Sequence, residues 1–203
     1  RTLWEEMLTA LPEWLEARRM RRKLLEKISS LSPDDPEHGK AMDRYGELEH
    51  SFQQEDGYAQ ESWLRRIVHG LGFREADYER PAEEFSAGWQ MRIGLAKLLA
   101  RSPDFMLLDE PTDHLDLDAK NWLEEYLEGI DTGFILVSHD RYLLDRLATS
   151  LVEIHNSKHE EYKGNYTKYL IEKERRYQAY EESFGKQQKQ LQKMETYIAK
   201  YRV

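Results

Sequence analysis

Three observations predict an α/β fold with helical additions on both sides. Two short apolar runs, Phe105, Met106, Leu107, Leu108 and Phe134, Ile135, Leu136, Val137, have the length of buried strands and flank a stretch with helical periodicity. Ahead of them, two charged stretches with helical spacing are parted by the turn formers Ser32, Pro33, Asp34, Asp35 and Pro36, the pattern of a helical hairpin. Behind them, from Tyr166 onward, apolar residues alternate at spacings of three and four, the seam of a coiled coil. The 203 residues suffice for one domain with an appendage or for two small domains. The chain starts at Arg1 without a methionine and both ends fall inside helical patterns, so the expectation is a part of a longer protein.

Composition narrows the function classes. Lys and Arg number 30 against 39 Asp and Glu, a net charge of -9, which argues against uniform coating of nucleic acid while leaving local basic patches open. Cysteine is absent, so disulfides and thiolate metal sites are excluded. No apolar run is long enough to span a bilayer and no signal-peptide pattern is present, so no membrane partner is expected and the protein should be soluble and cytoplasmic.

In chain order, Thr2 and Glu5 have the spacing of a capping box for a first helix carrying Trp4, Met7, Leu8 and Leu11. Pro12 lacks a backbone donor, which predicts a kink or break near Leu11 in a pattern that continues to about Ser29. Within it Arg18, Arg19, Arg21, Arg22 and Lys23 form a basic cluster. It is either a solvated face paired with Glu16 and Glu26 or a contact for the phosphate backbone of RNA, where Arg forks grip oxygens without reading sequence. A second helix over 37–54 carries Met42, Tyr45, Leu48, Glu49 and Phe52, with Gly46 as a weak spot. Neither helix is apolar enough to be a core, so the hairpin should project from something larger. A third helix over 58–70 places Trp63, Leu64, Ile67 and Val68 on one side and ends at Gly70 and Gly72.

Two stretches then carry chemistry. Ser86, Ala87 and Gly88 precede a helix with the apolar face Met91, Ile93, Leu95, Leu98 and Leu99; this is either an ordinary Ser N-cap or a small-residue turn whose N–H groups suit a phosphate. The first apolar run ends in Asp109, Glu110 and Pro111. A buried carboxylate needs a cation, and at the carboxyl end of a parallel strand Mg²⁺ backed by a phosphate is the economical one. In that reading Asp109 holds the metal through water and Glu110 deprotonates an attacking water; the alternative is a strand ending in a charged turn. A helix over 117–127, with Trp122, Leu123, Tyr126 and Leu127 inward, connects to the second strand, which ends in Ser138, His139 and Asp140. A right-handed strand–helix–strand unit puts both strand ends on one sheet edge, so Glu110 and His139 are expected to face one ligand. A helix over 141–148, a strand over 151–155 and a turn at Lys163, Gly164 and Asn165 follow. The last helix carries the seam Tyr177, Tyr180, Phe184, Gln187, Leu191, Met194, Ile198 and Tyr201, flanked by Lys186, Lys189, Lys193, Lys200 and Arg202. An antiparallel partner helix is expected beyond Val203.

These residues carry a resemblance. Ser86-Ala87-Gly88-Trp89-Gln90 resembles the signature of the ATP-binding cassette (ABC) family, and Phe105 to Glu110 a Walker B strand. Asp113-His114-Leu115-Asp116 resembles the D-loop and His139 the switch histidine, all in the family's order. The helical arm and the charged linker after Gly164-Asn165-Tyr166 are similar to the ABC-F group, which is soluble and acts on ribosomes. The resemblance implies the C-terminal part of an ABC-type P-loop NTPase cassette with an inserted helical-hairpin arm (1–56), a cassette part (57–165) and the start of a coiled-coil interdomain linker (166–203). It implies ATP and Mg²⁺ as cofactors, Asp109 near Mg²⁺, Glu110 as general base and His139 at the γ-phosphate. Ser86, Gly88, Gln90 and Asp116 are implied as nucleotide contacts, with Ser86 and Gly88 capping ATP held by a second cassette of the same polypeptide. The implied partner is the ribosome, with rRNA and tRNA met by Arg18, Arg19, Arg21, Arg22, Lys23, Lys186, Lys189 and Lys193.

Phe85 and Ala87 depart from the family's Leu and Gly, Asp113 replaces its usual Asn, and no Walker A occurs: the Gly-Lys pair Gly39-Lys40 is followed by Ala41, and the pair Gly185-Lys186 by Gln187. A binding module with a degenerate, non-hydrolysing cassette is therefore the alternative to an ATPase. A membrane-transporter cassette is a third reading, in which the arm and coiled coil have no evident place.

Overall fold

Pro12 sets the first boundary of the structure, a computed structural model that describes residues 1–54 and 57–201. The expected arm end at Asp56 and the charge at Arg202 lie outside the described residues, as do the side chains of the seam positions Ile198 and Tyr201. Helix α1 (Leu3–Leu8) begins at the Thr2–Glu5 capping box and α2 (Pro12–Ser30) begins with Pro12 in its first turn, where the missing N–H costs nothing. The expected kink is thus a break, and α3 (Pro36–Gln54) returns antiparallel after the Ser32–Asp35 turn.

The chain divides into two compact units, residues 1–137 and 138–203. In the first, α2 and α3 are held by Arg21 with Glu49, by Lys27 with Glu37 (3.0 Å) and by the rings of Trp14 and Phe52, 6.1 Å apart. The packed centre lies among α4 (Gly57–Gly70), α5 (Ala87–Ala100) and α6 (Leu117–Glu128), where Leu64, Ile67, Leu99 and Leu123 are fully buried. Gly70 permits this closeness: a Cβ there would lie 2.1 Å from the Trp122 ring of α6. Helix α1 is tied on by Trp4, stacked on Tyr78 (5.0 Å), and by the Glu6–Lys97 pair.

Strands β1 (Phe105–Asp109) and β2 (Gly133–Val137) pair in parallel, from Phe105 opposite Gly133 to Asp109 opposite Val137. This is the expected strand–helix–strand order, with one correction. The strands are not buried on both faces: Met106 and Leu108 are, but Leu107 is 71% exposed and Phe105, Ile135 and Val137 are exposed with it. Met91, expected on the inner face of α5, is also exposed, because the apolar inner positions are Ile93, Ala96, Leu99 and Ala100.

The second unit holds α7 (Arg141–Leu147), the antiparallel pair β3 (Ser150–His155) and β4 (Lys158–Lys163), and α8 (Tyr166–Tyr201). Strand β4 replaces what the sequence reads as a connection to the turn at Lys163. Its tight turn is made by Asn156 and Ser157, both left-handed (φ 49° and 59°), a hairpin signal less evident than Asn-Gly. The start of α8 is fastened by the Thr167 N–H donating to Asp145 (2.6 Å) and by Arg176 over the Tyr162 ring (4.4 Å). Further along, Tyr177, Tyr180, Phe184, Leu191 and Met194 stand exposed. No helix among the described residues is long and apolar enough to cross a membrane.

Candidate functional site

Strand alternation puts Asp109 on the open face beside Leu107, where it is exposed rather than buried. The next residue leaves the strand sharply. Glu110 has φ 44°, its N–H donates to the Val137 carbonyl (2.9 Å), and its own carbonyl accepts from the Asp113 N–H (3.0 Å). His114, four residues on, is again left-handed at φ 64°. Side-chain-bearing residues in this region are strained and persist only where surrounding bonds fix them, which makes this turn a functional candidate on conformation alone. A cleft of about 190 Å³ runs between the turn and α5, lined by Met91, Arg92, Leu95, Asp109, Glu110 and Asp113 among others.

The second element is the start of α5. Ser86 occupies the N-cap position with extended backbone, yet its hydroxyl makes no cap hydrogen bond, and the first helical bond runs from the Gln90 N–H to the Ser86 carbonyl (2.9 Å). By helix geometry the N–H groups of the turn at Ala87, Gly88 and Trp89 have no acceptor inside the helix. Gln90 folds back, its side-chain amide donating to the Phe85 carbonyl (3.1 Å). Phe85 itself is buried against Phe73 (5.8 Å between rings), with the Arg80 guanidinium 4.4 Å from its centre, so the larger ring in place of leucine anchors the turn. Ala87 is not among the residues with positive φ, so the backbone does not demand glycine at that position.

These two elements meet at His114 and Asp116. A Cβ on Gly88 would lie 3.2 Å from the His114 Cβ, closer than most side chains tolerate. Arg92, one turn further along α5 and 7% exposed, donates from Nε (2.9 Å) and Nη2 (2.5 Å) to the His114 carbonyl. Its Nη1 reaches the Leu71 carbonyl (3.2 Å) and Asp116 Oδ2 (3.1 Å), and its guanidinium lies 4.3 Å from the Trp89 ring centre. Asp116 is the N-cap of α6, its Oδ1 accepting from the Ala119 N–H (3.0 Å). That bond first, and Arg92 second, hold its carboxyl below the usual carboxylate range.

Of the sequence-predicted residues, Ser86, Gly88, Gln90, Asp109, Glu110 and Asp116 all belong to the first unit, and Gly88 and Asp116 are joined through His114 and Arg92. His139 belongs to the second unit, exposed, between Ser138, whose hydroxyl accepts from the Asp140 N–H (3.0 Å), and Asp140, the N-cap of α7. Arg18, Arg19, Arg22 and Lys23 are exposed on α2, as are Lys186, Lys189 and Lys193 on α8. Arg21 is a correction to the basic cluster. Its side chain is 16% exposed, pairs with Glu49 and lies 4.5 Å from the Phe52 ring centre, so it joins the hairpin instead of facing outward. Arg92 escaped the sequence reading; its signal is a lone arginine on the apolar side of α5.

No group of three or more His, Asp or Glu able to hold a metal occurs among the described residues. Asp109 alone fits a metal that takes most of its oxygens from water and phosphate, as Mg²⁺ does.

The family model described as ABC transporter matches residues 8–113, and a second model of the same description, an extension of it, matches residues 152–203. The chain is 36% identical over 200 residues to ABC transporter F family member 2 of Arabidopsis thaliana, which covers 98% of this chain and 30% of that protein. It is 38% identical over 181 residues to ATP-binding cassette sub-family F member 2 of Mus musculus, covering 89% of this chain and 28% of that one. The chain thus spans less than a third of the length of these relatives.

Proposed function

The chain belongs to the ABC-F group of the ATP-binding cassette family, and from that premise we propose that it supplies one side of a composite ATP-hydrolysing site. The phosphate-cradling loop, absent from residues 1–203, would come from elsewhere. Glu110 accepts the proton of the attacking water, with its backbone position set by the bond to Val137. Asp109 would hold Mg²⁺ through water, and the metal would neutralise phosphate charge when bound. Ser86 and Gly88, at the start of α5, present a hydroxyl and N–H groups to the phosphates of ATP bound on a second cassette of the same polypeptide. His139 orients the γ-phosphate.

The observation that carries this reading is Glu110 itself, a carboxylate held in a left-handed turn directly at the end of a parallel strand. In the full-length protein Glu110→Gln should lower hydrolysis at least about 10²-fold, the usual worth of a general base, while nucleotide binding persists. Hydrolysis at the wild-type rate would sink it. Buried Phe85 and the ordinary φ of Ala87 count against the alternative of a degenerate binding module, because neither substitution disturbs the turn.

The ribosome is the proposed partner, with rRNA and tRNA met by the exposed cations of α2 and α8 in the cytoplasm. The clustering of Arg18, Arg19, Arg22 and Lys23 in a chain of net charge -9 supports this.

A further inference from the structure

Arg92 and Glu124 are buried charged residues that the proposed reaction does not use, and the surroundings of Arg92 are arranged around its head group. Gly72 is left-handed (φ 92°), and a Cβ there would lie 3.0 Å from Arg92 Nη1. Trp89 stacks beside the guanidinium while packing edge-on to Phe73 (4.8 Å). Three segments converge on this one side chain: the end of α4 through the Leu71 carbonyl, the turn after β1 through the His114 carbonyl, and the cap of α6 through the Asp116 carboxylate. Only a planar fork with several fixed donors can meet all of them at once; an ammonium offers one point of charge.

The carbonyl it grips belongs to a strained residue. His114 has φ 64°, and a Cβ at Gly88 would meet the His114 Cβ at 3.2 Å and its Cγ at 3.4 Å, a tight approach that a glycine relieves. The turn at 113–116 is therefore held to α5 at two independent places, by contact at Gly88 and by hydrogen bonds at Arg92. Both Gly88 and Ser86 are on the edge proposed to meet a nucleotide phosphate.

We infer that Arg92 is a positioning residue that fastens the 113–116 turn to α5, so that this turn and the Ser86–Gly88 start of the helix are offered to the nucleotide as one rigid edge. The inference rests on the proposed nucleotide-capping role of Ser86 and Gly88. Arg92 itself touches no reacting atom in this scheme. Loss of the fork frees the turn to leave its left-handed conformation, and the edge then closes on the phosphate less often in the correct geometry.

The test uses the full-length protein with Arg92→Met, Arg92→Lys and Asp116→Asn, the last retaining a capping side chain on α6. Two readouts are required: steady-state ATP hydrolysis and site-resolved amide hydrogen exchange. Arg92→Met should lower kcat at least about tenfold with KM for ATP within about threefold, because ATP is cradled chiefly by another segment. Exchange at 113–116 should quicken at least about tenfold while the amides of Leu64 and Ile67 keep their protection. Arg92→Lys should recover only part of both, and Asp116→Asn should lie between it and the wild type. Unchanged exchange at 113–116, or activity lost only in proportion to the unfolded fraction, overturns the inference. If Arg92→Met does not fold, Arg92→Lys carries the same exchange comparison. Should the wild type show no Glu110-dependent hydrolysis, the functional reading fails separately, and exchange alone then decides whether Arg92 fastens the turn.

Discussion

The helices α4, α5 and α6 and the strands β1 and β2 share one unit but differ in how their apolar residues are covered. Leu64, Ile67 and Leu123 are 0% exposed, whereas Leu107 is 71% and Ile135 56% exposed. Helices close on one another with a single stripe each, and here Gly70 and the aromatic cluster of Phe73, Phe85 and Trp89 complete that closure. A parallel sheet is different, since its strands are ordinarily covered on both faces. The near-continuous apolar sequence of β1 suits that two-sided environment, and the described residues cover only the side of Met106 and Leu108. Asp109 opens onto the uncovered side, the direction from which the proposed phosphate would approach.

The contrast can be broken most severely at Leu123. Leu123→Ala in the chain of residues 1–203 should cost about 2–5 kcal/mol by urea titration, the range for a fully buried leucine. A loss below about 1 kcal/mol would mean that the helical cluster is loosely packed after all. Acid offers an intermediate test. The carboxyls of Asp116, through the Ala119 N–H and then Arg92, and of Asp77, through the Arg74 N–H and then Arg80, lie below their ordinary range when folded. A depressed carboxyl binds fewer protons folded than unfolded. Its contribution is therefore present above the unfolded value near about pH 4 and is lost as pH falls through the folded value. Asp116→Asn should flatten this acid slope in unfolding curves; an unaltered slope would remove Asp116 from the account. The smallest effect is expected at the open face. Leu107→Ser in the same chain should change stability by no more than about 0.5 kcal/mol, as surface substitutions do. A cost of about 2 kcal/mol would show that the face is covered in solution.

The helical elements and the strand–helix–strand order were readable because periodicity reports which faces are apolar, and Thr2, Glu5 and Pro12 punctuate the chain with local chemistry. Strand β4, Lys-His-Glu-Glu-Tyr-Lys, was not, since five of its six side chains are exposed and its polar sequence has no period-two signal. The chemistry of the site was partly readable. The two carboxylates at the end of β1 announce themselves, but the left-handed turn that aims Glu110 depends on a hydrogen bond to Val137, a residue 27 positions away in sequence. Arg92 was hidden for the same reason: its partners Leu71, His114 and Asp116 are each 21 or more residues distant. The coverage of β1 misled most, because an apolar run states what a strand prefers rather than what surrounds it.

The break before Pro12 has a mechanical consequence. Helices α2 and α3 are each 19 residues, about 28 Å at the α-helical rise, and α2 joins α1 through Thr9, Ala10 and Leu11, beside a cleft of about 470 Å³ lined by Trp14, Phe52 and Trp63. A tilt of only about 5° at that joint would carry the far end of the hairpin about 2.5 Å, close to the length of a hydrogen bond. Any change of angle at the joint ahead of Pro12 would thus be magnified at the far end of the hairpin by the length of its helices.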